Sequence, residues 1–200
     1  SVSVPPNSDP RTNAMASSDA VTIDTLLARL GSDTVKALGL RLVGDASVLV
    51  GDVTHDSRNV GHGTLFCCVR GERHDGHDFA ASAVASGAVA LLVDHELPKS
   101  SATQIVASDT REAMGHLAAA FFDQPSRTMT VVGVTGTNGK TTTAHMLGSI
   151  FEQAGQRTTV LGTLSGARTT PEAPELQRTL AMERKNGTKA VVMEVSSHAL

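Results

Sequence analysis

Tryptophan and tyrosine are absent from these 200 residues, and phenylalanine occurs only 5 times. A surface that stacks nucleic-acid bases on aromatic rings has little material here. Cysteine is almost as scarce: Cys67 and Cys68 are the only pair, and they are adjacent. Neighbouring cysteines cannot make a disulfide framework, and no CxxC spacing offers a zinc site. The expectation is a reduced, intracellular protein. Positive charge is not in surplus either, since 17 Lys and Arg against 20 Asp and Glu leave a net charge of -3. That disfavours a nucleic-acid or anionic-membrane partner, although a helix terminus can still bind phosphate. The longest apolar runs are short and broken by charge or glycine, so none reads as a transmembrane helix. Residues 1–20 lack an apolar core segment and read as a flexible tail, not a signal peptide, with Met15 a candidate internal start.

The remaining composition, 40% apolar and 18% charged, is that of a globular chain. Two α/β domains are expected, 21–127 and 128–200, separated by the polar, proline-containing stretch Asp123–Arg127. In the first, Leu26, Leu27 and Leu30 share a helix face, Ala46–Val53 reads as a strand, and Thr64–Val69 reads as a strand buried on both sides. A polar loop, Arg70–His77, leads to a helix that stops at Gly87. Strands follow at Ala88–Val93 and Gln104–Ala107. Asp109 then caps a helix, with Glu112 at capping-box spacing. In the second domain, strands at Met129–Val134, Thr158–Leu161 and Ala190–Val195 alternate with two helices. The first helix uses Ala144, Leu147, Ile150, Phe151 and Ala154 and ends at Gly155; the second opens near Pro174 and ends at Gly187. That order predicts a parallel sheet with helical crossovers.

Between the first strand and first helix of the second domain lies Gly136-Thr137-Asn138-Gly139-Lys140-Thr141-Thr142. This strand-to-helix context is the one a phosphate-binding loop requires. The match is imperfect, because Val134 stands where the first glycine of G-x-x-x-x-G-K-[ST] falls. Gly136 and Gly139 still allow the backbone to turn its amides inward. Loop amides and the helix terminus suit a β-phosphate, Lys140 the β and γ phosphates, and the Thr141 hydroxyl one place around Mg²⁺. A dinucleotide loop would not need the lysine and hydroxyls. Glu194, at a strand end, is a candidate carboxylate for that metal or for a water bound to it. Ser196, Ser197 and His198 form a polar turn that reads as a substrate-binding cluster, since no nucleophile elbow is present. Thr169 and Thr170 precede a proline, where helix capping is the simpler role. The eight histidines show no metal-motif spacing.

The stretches His55-Asp56-Ser57-Arg58, Asp75-Gly76-His77, TGTNGKTTT, TTPEAPELQ from Thr169 and MEVSSHAL from Met193 together resemble the Mur ligase family over about residues 45–200. Within it they resemble the branch that extends UDP-MurNAc-L-Ala-D-Glu by a diamino acid, meso-diaminopimelate or L-lysine. The resemblance implies a small α/β UDP-binding domain followed by an incomplete P-loop NTPase-like parallel-sheet domain. It implies an ATP- and Mg²⁺-dependent amide ligase of peptidoglycan precursor synthesis, working in the cytoplasm through an acyl phosphate. Carried over by position, Ser57 and Glu72, Arg73 and His74 line the UDP site, and Thr169, Thr170 and Ser196 hold the muramoyl peptide. Gly136–Thr142 hold ATP, Lys140 acts on the transferred phosphoryl group, and Thr141 and Glu194 hold magnesium. The family's carbamylated lysine, adenine site and amino-acid-binding domain have no match before Leu200. The 200-residue chain alone is therefore expected to be inactive. Alternatives are another ligase of this superfamily, D-alanyl-dipeptide-adding or folylpolyglutamate synthase-like, and a non-catalytic nucleotide-binding scaffold.

Overall fold

The computed structural model describes residues 20–71, 74–162 and 171–195. The chain opens with β1 (Val21–Thr22) and α1 (Ile23–Leu30). The Thr22 side chain caps α1 by accepting from the Thr25 amide at 3.1 Å. Ile23 and Leu26 are buried, and Leu27 and Leu30 pack beside them, as the leucine spacing predicts. The short helix α2 (Ser32–Ala37) has no buried residue, hence no apolar periodicity to reveal it.

A five-stranded sheet runs in the order β2 (Arg41–Val43), β7 (Thr103–Val106), β6 (Ala88–Val93), β5 (Thr64–Cys67), β4 (Asp52–Thr54). It is parallel except that β2 lies antiparallel to β7. The expected continuous strand Ala46–Val53 is instead two strands. At Gly51 the chain changes partners: β3 (Leu49–Val50) pairs with β1, and β4 pairs with β5. The Gly51 amide donates to Gly63 O at 2.8 Å between them.

β5 is buried at every residue, as the unbroken apolar run predicts. Its alternation divides the core in two. Leu65 and Cys67 join Ile23, Leu26, Leu92 and Ile105 on one face; Phe66 and Cys68 join Ala80, Ala83 and Leu91 on the other. The adjacent cysteines are thus core residues of opposite faces. Burial raises both thiols, Cys68 to about 12 and Cys67 further, which suppresses thiolate chemistry. Helix α3 (Ala80–Ala85) covers the second face. On the first lies α4 (Thr110–Phe121), capped by Asp109, whose carboxylate accepts from the Arg111 and Glu112 amides at 2.8 and 3.0 Å.

Beyond a 3-10 turn at Pro125–Arg127 comes a second, fully parallel sheet in the order β8 (Thr130–Val134), β10 (Ala190–Glu194), β9 (Thr158–Leu161). Helix α5 (Lys140–Gln153) follows β8, and α6 (Ala173–Lys185) precedes β10. Gly87, Gly155 and Gly187 all take positive φ just past helix ends, as expected. Ile150 departs from expectation. It is 60% exposed, whereas Ala144 and Gly148 are the buried residues of α5. Among the described residues, no helix is long and apolar enough to cross a membrane.

Helix α6 follows the phosphate-loop strand and helix in sequence, yet it packs on α4 of the first unit. Ala181 is part of the first unit's core, with Ala173 against it. Arg178 Nη2 donates to Asp52 Oδ1 at 2.6 Å, and its guanidinium lies 5.2 Å from the Phe122 ring centre. Arg184 donates to Asp123 O at 2.9 Å and Phe122 O at 3.3 Å, and Arg111 pairs with Glu172 at 2.9 Å. Exposed pairs contribute little singly, but Arg178 combines a half-buried ion pair with a cation–π contact. Arg178→Ala is expected to lower stability by about 1–2 kcal/mol in chemical denaturation. A double-mutant cycle with Asp52→Ala should show non-additive losses; strict additivity would remove the seam pair from the fold's energetics.

Candidate functional site

The loop between Val134 and Lys140 leaves the carboxyl end of β8, where open α/β sheets bind ligands. Gly136 and Gly139 hold φ of 141° and 78°, a backbone region that side chains resist. Gly139 is the N-cap of α5 and no side chain caps that helix, which leaves its first-turn amides able to receive an anion. Lys140 Nζ donates to Gly136 O at 2.7 Å, so the ammonium lies back across the loop. Thr141 is half-buried in the first turn, while Thr137, Asn138 and Thr142 are exposed.

Glu194 ends the central strand of the same sheet. It pairs in register with Val134, and the next amide, Val195 N–H, donates to Val134 O at 2.9 Å. Its side chain is buried at 2% exposure beside the root of the loop. A Cβ on Gly162, just past β9, would stand 2.9 Å from Glu194 Oε1, so a side chain there would push the carboxylate aside. A carboxylate at a strand end and a threonine hydroxyl in the first turn of α5 are hard oxygen donors of the kind that suits magnesium.

In the first unit, Ser57 opens a 3-10 turn, Ser57–Asn59, at the carboxyl end of β4 and is half-buried. Asp56 caps the turn, accepting from the Arg58 amide at 3.0 Å and from Arg58 Nε and Nη2 at 2.9 and 2.7 Å. The guanidinium hydrogen bonds hold the Asp56 carboxyl below its ordinary range, against a smaller desolvation effect. His74 follows β5, is exposed, and meets the Phe79 ring edge-on at 6.3 Å. Because β4 and β5 are adjacent and parallel, Ser57 and His74 leave the same edge of the sheet. Glu72, Arg73, Thr169, Thr170 and Ser196 lie outside the described residues.

One feature of the seam has no precursor in the sequence pattern. His55 Nδ1 lies 3.6 Å from Glu175 Oε1 in the first turn of α6. Among the described residues, His55 Nδ1, Glu175 Oε2 and Gln177 Oε1 are buried without a hydrogen-bond partner. Such atoms are costly unless something polar reaches them. They adjoin Ser57 on one side and the start of α6 on the other.

Two family models match this arrangement, the Mur ligase family catalytic domain over residues 50–122 and the Mur ligase middle domain over 134–200. The chain belongs to the Mur ligase family. The models divide between the two sheets, and the second begins at the root of the phosphate loop. The UDP-N-acetylmuramoyl-L-alanyl-D-glutamate--2,6-diaminopimelate ligase of Halalkalibacterium halodurans is 39% identical over 171 residues, which is 81% of this chain and 35% of the relative. That of Geobacter sulfurreducens is 44% identical over 167 residues, 78% of this chain and 33% of the relative. The chain thus spans about a third of the length of these Mur ligases. A solved 2,6-diaminopimelate ligase matches with a TM-score of 0.69 at 26% identity, over 90% of this chain and 36% of that one. MurF of Acinetobacter baumannii matches at 0.63 and 27% identity, over 89% of this chain and 36% of that one.

The Asp56 turn yields a pH dependence. Its pKa is lowered on folding, so its stabilisation is complete above the ordinary aspartate value of 3.8 and is lost as pH falls through the lowered one. An NMR titration should show the Arg58 amide moving only below pH 3.8, and not at all in Asp56→Ala.

Proposed function

We propose that this chain is the UDP-substrate and phosphate-loop portion of a ligase that adds 2,6-diaminopimelate to UDP-MurNAc-L-Ala-D-Glu. The observation that carries the reading is Glu194, buried and in register beside the root of the glycine-lysine-threonine loop. A carboxylate there has a task in Mg-ATP chemistry that a plain strand-to-helix turn would not give it. The curated relatives at 39% and 44% identity are diaminopimelate ligases, and the solved diaminopimelate ligase matches with a TM-score of 0.69 against 0.63 for MurF, which favours this branch over the D-alanyl-dipeptide-adding one. Residues 21–127 form the UDP-substrate unit and 128–200 the start of the ATP unit, and the protein works in the cytoplasm.

In this reading the UDP end of the substrate lies along the ends of β4 and β5, against Ser57 and His74, with Glu72 and Arg73 alongside. Its peptide runs past the unpartnered atoms of His55, Glu175 and Gln177 toward Thr169, Thr170 and Ser196. ATP phosphates rest on the amides of Gly136–Thr142. Thr141 and Glu194 would hold magnesium, which supplies charge neutralisation on the phosphates when bound. Lys140 exchanges the Gly136 carbonyl for the transferring phosphoryl oxygens. The D-glutamyl carboxylate attacks the γ-phosphorus and ADP leaves; the diamino acid's amine then attacks the acyl carbon, releasing phosphate and a proton. The substrate carboxylate is the nucleophile, so the chain need only orient, neutralise and exclude water.

Isothermal titration calorimetry with UDP-MurNAc-L-Ala-D-Glu, UDP-MurNAc and UDP tests the assignment. Saturable binding is expected, tightest for the dipeptide nucleotide. Equal affinity for all three would remove the α6 side from the site. No binding to the folded chain, and none to a full-length protein, would refute the substrate.

A further inference from the structure

We propose that His77 is a positioning residue that latches the Arg70–His77 loop to the end of β6 and so sets His74 in place. The ligand side of this inference rests on the UDP site proposed above. The His77 side chain is 7% exposed. The backbone N–H of Asp94, just past β6, donates to His77 Nε2 at 3.2 Å. Nε2 also lies 3.2 Å from Asp94 Oδ1, and Nδ1 faces Asp75 Oδ1 at 2.5 Å. One ring therefore ties the loop to the neighbouring strand through both nitrogens.

The rest of the loop depends on that tie. Asp75 also accepts from the His77 amide at 3.0 Å, and this bond, then the ring bond, lowers its pKa. Arg70 donates from Nε to Asp94 Oδ2 at 2.8 Å, so both ends of the loop are anchored at Asp94. The Gly71 amide donates to His74 O at 2.9 Å and the Gly76 amide to Val69 O at 3.0 Å. A Cβ on Gly76 would stand 2.6 Å from Val69 N, so the loop crosses the end of β5 only because that residue has no side chain. His74 sits between the hairpin closure and its contact with Phe79, in the turn His77 begins to hold.

A metal centre is the competing use of this cluster. His77, Asp94 and His95 offer ligand atoms within 4.8 Å of one another. However, His77 Nε2 already accepts from the Asp94 amide, and the Asp94 carboxylate already holds Arg70 and His95. A cation would have to displace all three contacts, whereas the latch uses every one as it stands.

The test compares the chain with His77→Asn, which keeps a donor toward Asp75, and His77→Gln, which keeps an acceptor toward Asp94. Neither keeps both. Amide exchange at Gly71 and Gly76 is expected to quicken about tenfold in each variant, with β6 amides unchanged, and UDP should bind about tenfold more weakly. A long-range ¹H–¹⁵N spectrum of the parent chain should show the Nδ1 proton of His77 held in a hydrogen bond. Unchanged exchange at the two glycines, or an unchanged Kd with a loosened loop, would overturn the proposal. So would faster exchange throughout β6, which makes His77 a general fold residue. A parent chain that does not bind UDP refutes the first-unit ligand, while the exchange arm still decides whether His77 is a latch.

Discussion

The packing of α6 on α4 is the contact on which the rest depends. The helix leads directly into β10, the central strand of the second sheet, but Ala181 is buried in the first unit's core. Arg178 anchors it to Asp52 at the start of β4 and to Phe122 at the end of α4. Whatever fixes α6 therefore fixes where β10 begins, and with it Glu194 and the loop it pairs beside. Two sheets that share no strand are held in one arrangement by a single helix with apolar and charged contacts on the same side.

In the proposed function that arrangement would give a long polar substrate a continuous path. The first sheet offers Ser57 just past β4 and His74 on the loop that follows β5, and the second offers the glycine loop and Glu194 at neighbouring strand ends. The start of α6 lies beside the first of these, through His55 and Glu175. Ligands of parallel sheets bind at carboxyl ends, so both units present the faces such chemistry uses. In the proposed function, binding a sugar-nucleotide peptide and a nucleoside triphosphate across adjoining units would make the phosphoryl transfer effectively intramolecular.

Local patterns were legible in the sequence. The apolar run of β5, the glycines that end three helices, the Asp109 cap and the glycine turn between β8 and α5 each depend on residues close together in the chain. What could not be read involves distant partners or the loss of one. Gly51 looked like the middle of a strand because both halves are strands; only their partners differ. Ile150 fitted the helix period, yet α5 buries its Ala144 and Gly148 side instead. Arg178 and Asp52 are far apart in sequence, and nothing in the helix pattern announces that α6 packs on the first unit. Why Gly76 is a glycine depends on the Val69 backbone, 2.6 Å from where its Cβ would stand.

The most direct test of the shared substrate path is hydrogen exchange of the chain with and without UDP-MurNAc-L-Ala-D-Glu. Protection should appear together at residues 55–58 and 74–77 of the first unit and at residues 171–177 leading into α6. Protection confined to the phosphate loop, or to the first unit alone, would contradict a substrate that runs across the seam.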